Sequence, residues 1–368
     1  MINNNKKIVI LGSLTQDLFV YANGNSVITQ SDENGEKEFY AIPHGGKLTA
    51  KYLERYAGGG GANVGVSLQR LGFESHVFGA RGDDEVGSWI EELLQKEKVK
   101  IENIQVLQNT ESGFSVILNS YQGERTVIFT SQANKKFREI HASDIEKIDP
   151  VAIYLCHISS GLENNITSEL LHYLEKHNKT ILSWNPGRER LELGVESEEN
   201  KNLLAHCNLL FLNKEEAELF TGLDSRNIEC NNGEKIRNKN YENKLKTDHS
   251  SYITDLPNYA SDVSGLAEKL LQTGVSTVVI TDGRKGVQVF TENKSFFVAS
   301  LGGERVDTLG AGDSFSSAFT ASVLRGNSLE DATNYARINA QSVVSNRGAQ
   351  PGLLTESQLY ENKLYKNK

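Results

Sequence analysis

Two hydrophobic rhythms alternate along this chain. Short continuous apolar runs recur: "KIVILGS" (Lys7–Ser13), "VAIYLCHIS" (Val151–Ser159), "TILSW" (Thr180–Trp184), "NLLFLN" (Asn208–Asn213) and "TVVIT" (Thr277–Thr281). Runs of this kind match strands buried on both faces, as in a parallel sheet. Between several of them lie stretches with helical spacing: "DEVGSWIEELLQKEKV", "NITSELLHYLEKHN", "KEEAELFTG" and "VSGLAEKLLQTG". The last two end in Gly, a frequent residue just past a helix C-terminus. Strands alternating with helices predict an α/β fold, a mostly parallel sheet of about eight or nine strands covered by helices on both faces.

Two regions break that rhythm. Asp17 to about Tyr52 and Gly113 to about Thr130 read as antiparallel strands, with "SYQGERT" as a hairpin turn. Together they predict a small sheet projecting from the main body as a lid. Residues 224–262, rich in Asn, Lys and Glu and poor in apolar residues, read as a surface insertion. No internal repeat is present, and residues 1–368 are expected to form a single domain.

Composition narrows the function. The 368 residues carry a formal net charge of −9. That balance opposes a nucleic-acid surface, which needs a basic face to displace counterions. No run approaches the roughly 18 apolar residues of a membrane span, and the mean hydropathy is −0.43. The apolar stretch in "MINNNKKIVILGS" is too short for a signal peptide and flows into a strand. Cys156, Cys207 and Cys230 show no metal-binding spacing, so a reducing cytoplasm is the expected compartment.

Common nucleotide motifs are absent. "GGKLT" at Gly45 lacks the Ser or Thr directly after Lys that a P-loop requires. The run "AGGGGANVG" (Ala57–Gly65) satisfies GxGxxG in no register, which argues against a dinucleotide-binding dehydrogenase. Its consecutive glycines stand before "ANVGVSLQRLG", a helix pattern with Val64, Leu68 and Leu71 on one face and Gly72 at its end. Without Cβ atoms the run admits a ligand or another segment close to the backbone, or serves as a hinge. Asn63 reads equally as a helix cap or a ligand group.

"DTLGAGDSF" (Asp307–Phe315) is the second glycine-bearing stretch. Phe315, Phe319 and Val323 share one helical face and Gly326 closes the pattern, so a helix starts near Asp313. Unpaired N–H groups of Ala311, Gly312 and Asp313, with the helix dipole behind them, would form an anion site. Asp313 is placed to accept a proton from an attacking hydroxyl, or to cap the helix.

With "AGGGGANVGVSLQRLG" and "DTLGAGDSFSSAFT" in this order, the chain resembles the ribokinase-like (PfkB-type) carbohydrate kinases along nearly its whole length. "GSLTQD", "NKEE", "TDGRKG" and "RGAQPG" add to the match, and residues 224–262 lie outside it. The resemblance implies a three-layer α/β/α sandwich with a β lid, and ATP-dependent phosphorylation of a hydroxymethyl group on a sugar or sugar-like molecule. It implies Asp313 as the catalytic base and Gly310, Ala311 and Gly312 as the anion hole. Asp17, Gly59, Gly60 and Asn63 would bind substrate; Asn185, Asn213, Thr281, Gly283 and Gly286 would line the nucleotide. Glu216 would hold Mg²⁺ through water. Asp307, with carbonyls around Leu309, Asn346 and Gly348, would hold K⁺. Without the resemblance, Asp307 reads as an Asx turn and Glu216 as an exposed helix-face carboxylate.

Departures bear on the substrate. Gly65 stands where the family signature usually has Ser, Thr or Ala. Near Ser159 no glutamate matches the one ribose-specific members tend to carry, and Arg337 replaces an Asn or His near the adenine. A nucleoside kinase of the same fold, or a non-catalytic sugar-binding regulatory member, are the alternatives. The family commonly dimerises through lid strands, and the alternating apolar residues of "FSVILNS" suit burial against a partner.

Overall fold

The computed structural model describes residues 6–22, 26–32, 35–41, 44–47, 49–119, 125–158, 165–225, 256 and 260–360. Its first strands are β1 (Lys7–Leu11), β2 (Thr15–Ala22), β3 (Ser26–Asp32), β4 (Gly35–Ala41) and β5 (Ala50–Gly58). Next come α1 (Gly60–Arg70), β6 (Glu74–Gly82), α2 (Glu85–Lys96), β7 (Lys100–Leu107), β8 (Gly113–Asn119) and β9 (Arg125–Thr130). A short 3₁₀ turn (Gln132–Lys136) leads to α3 (Ala142–Ile148), β10 (Ala152–Leu155), α4 (Ile166–Lys176), β11 (Ile181–Trp184) and α5 (Arg188–Leu193). Then follow α6 (Glu198–His206), β12 (Leu209–Asn213), α7 (Lys214–Thr221), α8 (Ser264–Leu271), β13 (Thr277–Thr281), β14 (Val287–Thr291) and β15 (Lys294–Val298). The described chain closes with α9 (Ala311–Leu324), α10 (Leu329–Val344) and α11 (Glu356–Tyr360).

A nine-stranded sheet in the order β15-β14-β13-β12-β11-β10-β1-β6-β7 forms the middle layer. All pairings from β13 to β7 are parallel; at one edge β14 pairs antiparallel with both β13 and β15 and alone runs against the other strands. The apolar runs are continuous because alternate side chains enter different cores. In β1, Val9 and Leu11 pack with Leu170, Leu203 and Phe220 on one side. Ile8 and Ile10 pack with Leu68, Phe315 and Phe319 on the other. Each such fully buried side chain contributes about 1.5–3 kcal/mol of transfer free energy. The result is the three-layer α/β/α sandwich expected from the sequence.

A second, four-stranded sheet has the order β5-β2-β8-β9, and β3 pairs with β4 as a separate ribbon. Within each of the two regions the strands pair antiparallel, β2 with β5, β3 with β4 and β8 with β9, while the contact that joins the regions, β2 with β8, is parallel. Residues 120–124 of the expected hairpin turn lie outside the described residues, as does most of the 224–262 segment. Among the described residues, no helix is long and apolar enough to cross a membrane.

Candidate active site

The site assembles where the parallel strands of the large sheet end, the usual place for a ligand in an open α/β sheet. Gly310 caps α9 with φ 75°. A Cβ there would lie 2.8 Å from the Cα of Ala349, so both conformation and space require glycine. The helix begins at Ala311, slightly earlier than the sequence pattern indicates. The Ala311 N–H also departs from expectation: it donates to the Thr308 carbonyl at 3.3 Å and is not free. Nothing among the described residues accepts from the N–H of Gly312 or Asp313. Around the Gly312 Cα no atom approaches within 4 Å of a Cβ position, which leaves room for an anion.

Asp313 is half-buried. Burial pushes its carboxyl above the usual carboxylate range, and a hydrogen bond from Asn63 pulls it partly back. The Asn63 Nδ2 donates to Asp313 Oδ2 at 2.8 Å. Asn63 lies inside the first turn of α1, whose cap is Gly59 with φ 84°. Its side chain makes no cap bond, so the capping alternative fails: the amide reaches across to α9 instead.

The glycine run is packed by its own backbone. Gly61 donates its N–H to the Ser13 carbonyl at 3.0 Å, and a Cβ on Gly61 would meet the Gly12 backbone at 2.8 Å. A Cβ on Gly60 would sit 3.0 Å from Cys156 Cβ and 4.0 Å from Asp313 Oδ1, so Gly60 floors the space beside the carboxylate. Asp17 on β2 is 7% exposed, with its carboxyl beside Gly58 at the head of the same run. Its Oδ1 accepts from Ser115 Oγ and from Thr15 Oγ1 at 3.3 Å. Burial raises its carboxyl, the two hydroxyls offset part of that, and the charges of Asp307 and Asp313 push it further up. A pair of carboxylates across a glycine floor suits a polyhydroxy ligand, whose O–H groups donate to both.

Past the end of β12, Asn213 caps α7. Its Oδ1 accepts from the Glu216 N–H and the Glu216 Oε2 accepts from the Asn213 N–H, each at 2.8 Å, a reciprocal capping box. Glu216 is half-buried, not exposed. Its carboxyl is raised by burial, with the charges of Glu215 and Asp313 adding to the effect against the Asn213 N–H. Asn185, just past β11, donates to the Phe211 carbonyl at 2.9 Å. Thr281 ends β13, and Gly283 turns away with φ 51° and no atom near its Cβ position. Gly286, with φ 131°, is packed against Val298 and Ala299. These residues line one edge of the same strand ends.

Asp307 is 6% exposed. Its Oδ1 accepts from the Leu309 N–H at 3.0 Å and its Oδ2 from the Gly348 N–H at 3.1 Å. The first bond is the Asx turn; the second ties that turn to the loop after α10. Gly348 has φ 76° and lies under the Tyr56 ring of β5. Asn346 is exposed and donates from Nδ2 to the Ser342 carbonyl at 2.8 Å.

This geometry unites the two glycine motifs with an aspartate at a helix start, and comparison with known proteins settles its class. The family model "pfkB family carbohydrate kinase" matches residues 6–356. The chain belongs to that family. Ribokinase from Haemophilus influenzae is 23% identical over 360 residues, covering 97% of this chain and 98% of the relative. Among solved structures, Arabidopsis thaliana ribokinase complexed with ribose and ATP superposes with TM-score 0.70 at 21% identity, covering 97% of this chain and 98% of the other. Burkholderia thailandensis nucleoside kinase in complex with inosine gives TM-score 0.68 at 16% identity, covering 96% and 97%. The fold is thus ribokinase-like and the chain is a carbohydrate kinase by family.

Within this pfkB-family site the departures take physical form. A Cβ on Gly65 would lie 2.7 Å from Val77 Cγ2, so this chain keeps glycine where α1 crosses β6. Arg337 donates from Nη1 to the Ala299 carbonyl at 3.0 Å, which holds its guanidinium near the end of β15. Ser159 lies outside the described residues. Four site neighbours escaped the sequence reading. Ser115 and Gln350 hold Asp17 and Asn63 by side-chain bonds. Cys156 is buried against Gly60 and raised by burial and the Asp313 charge. Phe129, cross-strand from Ser115 and therefore on the face of the small sheet that carries Asp17, is 73% exposed. Alternation along β8 and β9 holds the signal for Ser115 and Phe129; nothing local marks Gln350.

Proposed function

We propose that the chain transfers the γ-phosphoryl group of ATP to a hydroxymethyl group of a sugar or sugar-like small molecule. The observation that carries this is the Asn63–Asp313 hydrogen bond, which brings the glycine-rich run and the α9 start together across 250 positions of sequence. Substrate lies on the Gly59–Gly60 floor with hydroxyls donating to Asp17. Asp313, whose raised carboxyl suits a proton acceptor, takes the proton of the attacking hydroxyl. Phosphoryl transfer is mostly positioning and charge neutralisation, so the free N–H groups of Gly312 and Asp313 and the α9 dipole meet the developing charge. The small sheet, with Asp17, Ser115 and Phe129 on its inner face, acts as the lid that excludes water.

The nucleotide side is formed by Asn185, Asn213, Thr281, Gly283 and Gly286, in keeping with the Arabidopsis ribokinase of the same fold, which is complexed with ATP. For Mg²⁺ the donor set fits a loosely held ion: Glu216 has one oxygen engaged in the capping box, and no cluster of three His, Cys, Asp or Glu side chains occurs among the described residues. Mg²⁺ bound mainly by phosphates and water, with Glu216 behind a water, would neutralise phosphate charge. For K⁺, Asp307 and the carbonyls around Leu309, Asn346 and Gly348 supply hard oxygens beside the anion hole. In the lid, Val20, Leu53, Leu118 and Ile128 share the outer face, and Leu53 and Ile128 are 57% and 60% exposed. We assign this face to a second copy of the chain; a monomer by light scattering at working concentration removes the assignment.

The test is ATP consumption over a panel of pentoses, hexoses and nucleosides. Turnover confined to sugars is the expected result. Turnover confined to nucleosides moves the substrate to that class, and tight sugar binding with no turnover for any of them points to a regulatory member.

A further inference from the structure

Asn63 is an amide with two ends, and only one of them can face a carboxylate usefully. With Nδ2 toward Asp313 it donates; flipped, its Oδ1 would oppose the charge. The Nε2 of Gln350 donates to Asn63 Oδ1 at 3.2 Å while Nδ2 reaches Asp313 at 2.8 Å. Gln350 is itself pinned, since its carbonyl accepts from Arg70 Nη1 at 3.0 Å and Arg70 pairs with Glu97 at 2.6 Å. The preceding residues brace the same loop: Ala349 lies against Gly310 and the Gly348 N–H holds Asp307. Asn63 is 5% exposed, so little water is available to hold the amide in its place.

We propose that Gln350 is a positioning residue for the reaction, locking the Asn63 amide so that its N–H₂ end is committed to Asp313. This rests on the reading of Asp313 as base. The consequence is directional. A donor on the carboxylate favours the charged form, so releasing Asn63 leaves Asp313 harder to ionise and moves the acidic limb of kcat/KM to higher pH. The other titratable groups around Asp313 are Asp17 from β2, Tyr154 and Cys156 from the β10 side and Glu216 from α7, with Asp307 acting on Asp17. None of them hydrogen-bonds Gln350, so they stay constant across the variants.

The experiment is the pH profile of kcat/KM for wild type, Gln350→Met, Gln350→Ala, Asn63→Ala and the Gln350→Met/Asn63→Ala double variant, with Asp313→Asn alongside. The expected result is an upward shift of the acidic limb by about 1 pH unit in both Gln350 variants, the scale of one hydrogen bond to a charged group. In the Asn63→Ala background the Gln350 substitution adds nothing, because its route to Asp313 is gone. An unmoved limb in both Gln350 variants overturns the proposal, as does a shift that persists without Asn63. Near wild-type turnover in Asp313→Asn sinks the base reading itself, a failure distinguishable from the other two.

Discussion

Gly310 faces Ala349 across the loop at the start of α9, with so little space that a Cβ on Gly310 would sit 2.8 Å from the Ala349 Cα. The backbone at Gly310 is also left-handed, with φ 75°. A side chain in that conformation costs about 1–2 kcal/mol before any clash. Gly310→Ala therefore displaces the loop that aims the Gly312 N–H. Initial-rate assays should show kcat down by at least about 10²-fold, the scale of a lost oxyanion donor, with the melting temperature lower by a few degrees.

Asp313→Asn separates chemistry from stability. The folded carboxyl is raised by burial, so the wild type holds a disfavoured charge at neutral pH. A raised folded pKa gives stability that is present below the unfolded value and lost as pH rises through the folded one. The Asn variant escapes that loss. Its melting temperature should exceed that of wild type at pH 7 by about 2 °C per kcal/mol, and the gap should close toward pH 4. A variant less stable at pH 7 would contradict the burial argument.

Phe129 stands 73% exposed on the face of the small sheet that carries Asp17, cross-strand from the Ser115 that holds it. In the proposed reaction an aromatic there would stack on the flat face of the bound acceptor. Phe129→Ala should raise KM for the acceptor about 10-fold, matching roughly 1.5 kcal/mol of stacking and burial, with thermal stability unchanged. Loss of stability with KM intact would make it a lid-packing residue.

Asp307 joins the turn before α9 to the 346–350 loop through two backbone N–H groups. If it also anchors a potassium ion, the initial rate rises as K⁺ replaces Na⁺ at constant ionic strength. Asp307→Asn keeps an oxygen for the Leu309 N–H but loses the charge, and should abolish the K⁺ response. A flat wild-type response would leave Asp307 as the tie between the two loops.

Much of this arrangement was legible along the chain, for physical reasons that also explain the gaps. β1, β10, β11, β12 and β13 are buried on both faces and so write unbroken apolar runs. β6 carries the buried Ser75 and Arg81 and the half-buried His76, with Arg81 paired to Glu91 at 2.8 Å, so no such run marks it. β7 is an edge strand with a largely uncovered pattern. The direction of β2 against β8 depends on tertiary contacts, which the alternation does not encode. At the site, Asp313 was readable from the helix start and Asn63 as a cap or ligand group, whereas the bonds from Asn63 to Asp313 and from Gln350 to Asn63 span 250 and 287 positions and leave no local signal. The capping box at Asn213 and Glu216 was within reach, since Asn-x-x-Glu ahead of a helix is its local signature.

The proposed reaction is phosphoryl transfer to a hydroxyl with Asp313 as base. Phosphorus NMR of the protein with ATP, Mg²⁺ and the best acceptor tests it most directly. Wild type should produce ADP and a phosphomonoester in equal amounts, and Asp313→Asn should do so at least about 10²-fold more slowly. Inorganic phosphate in place of the monoester, or a variant as fast as wild type, would contradict the account.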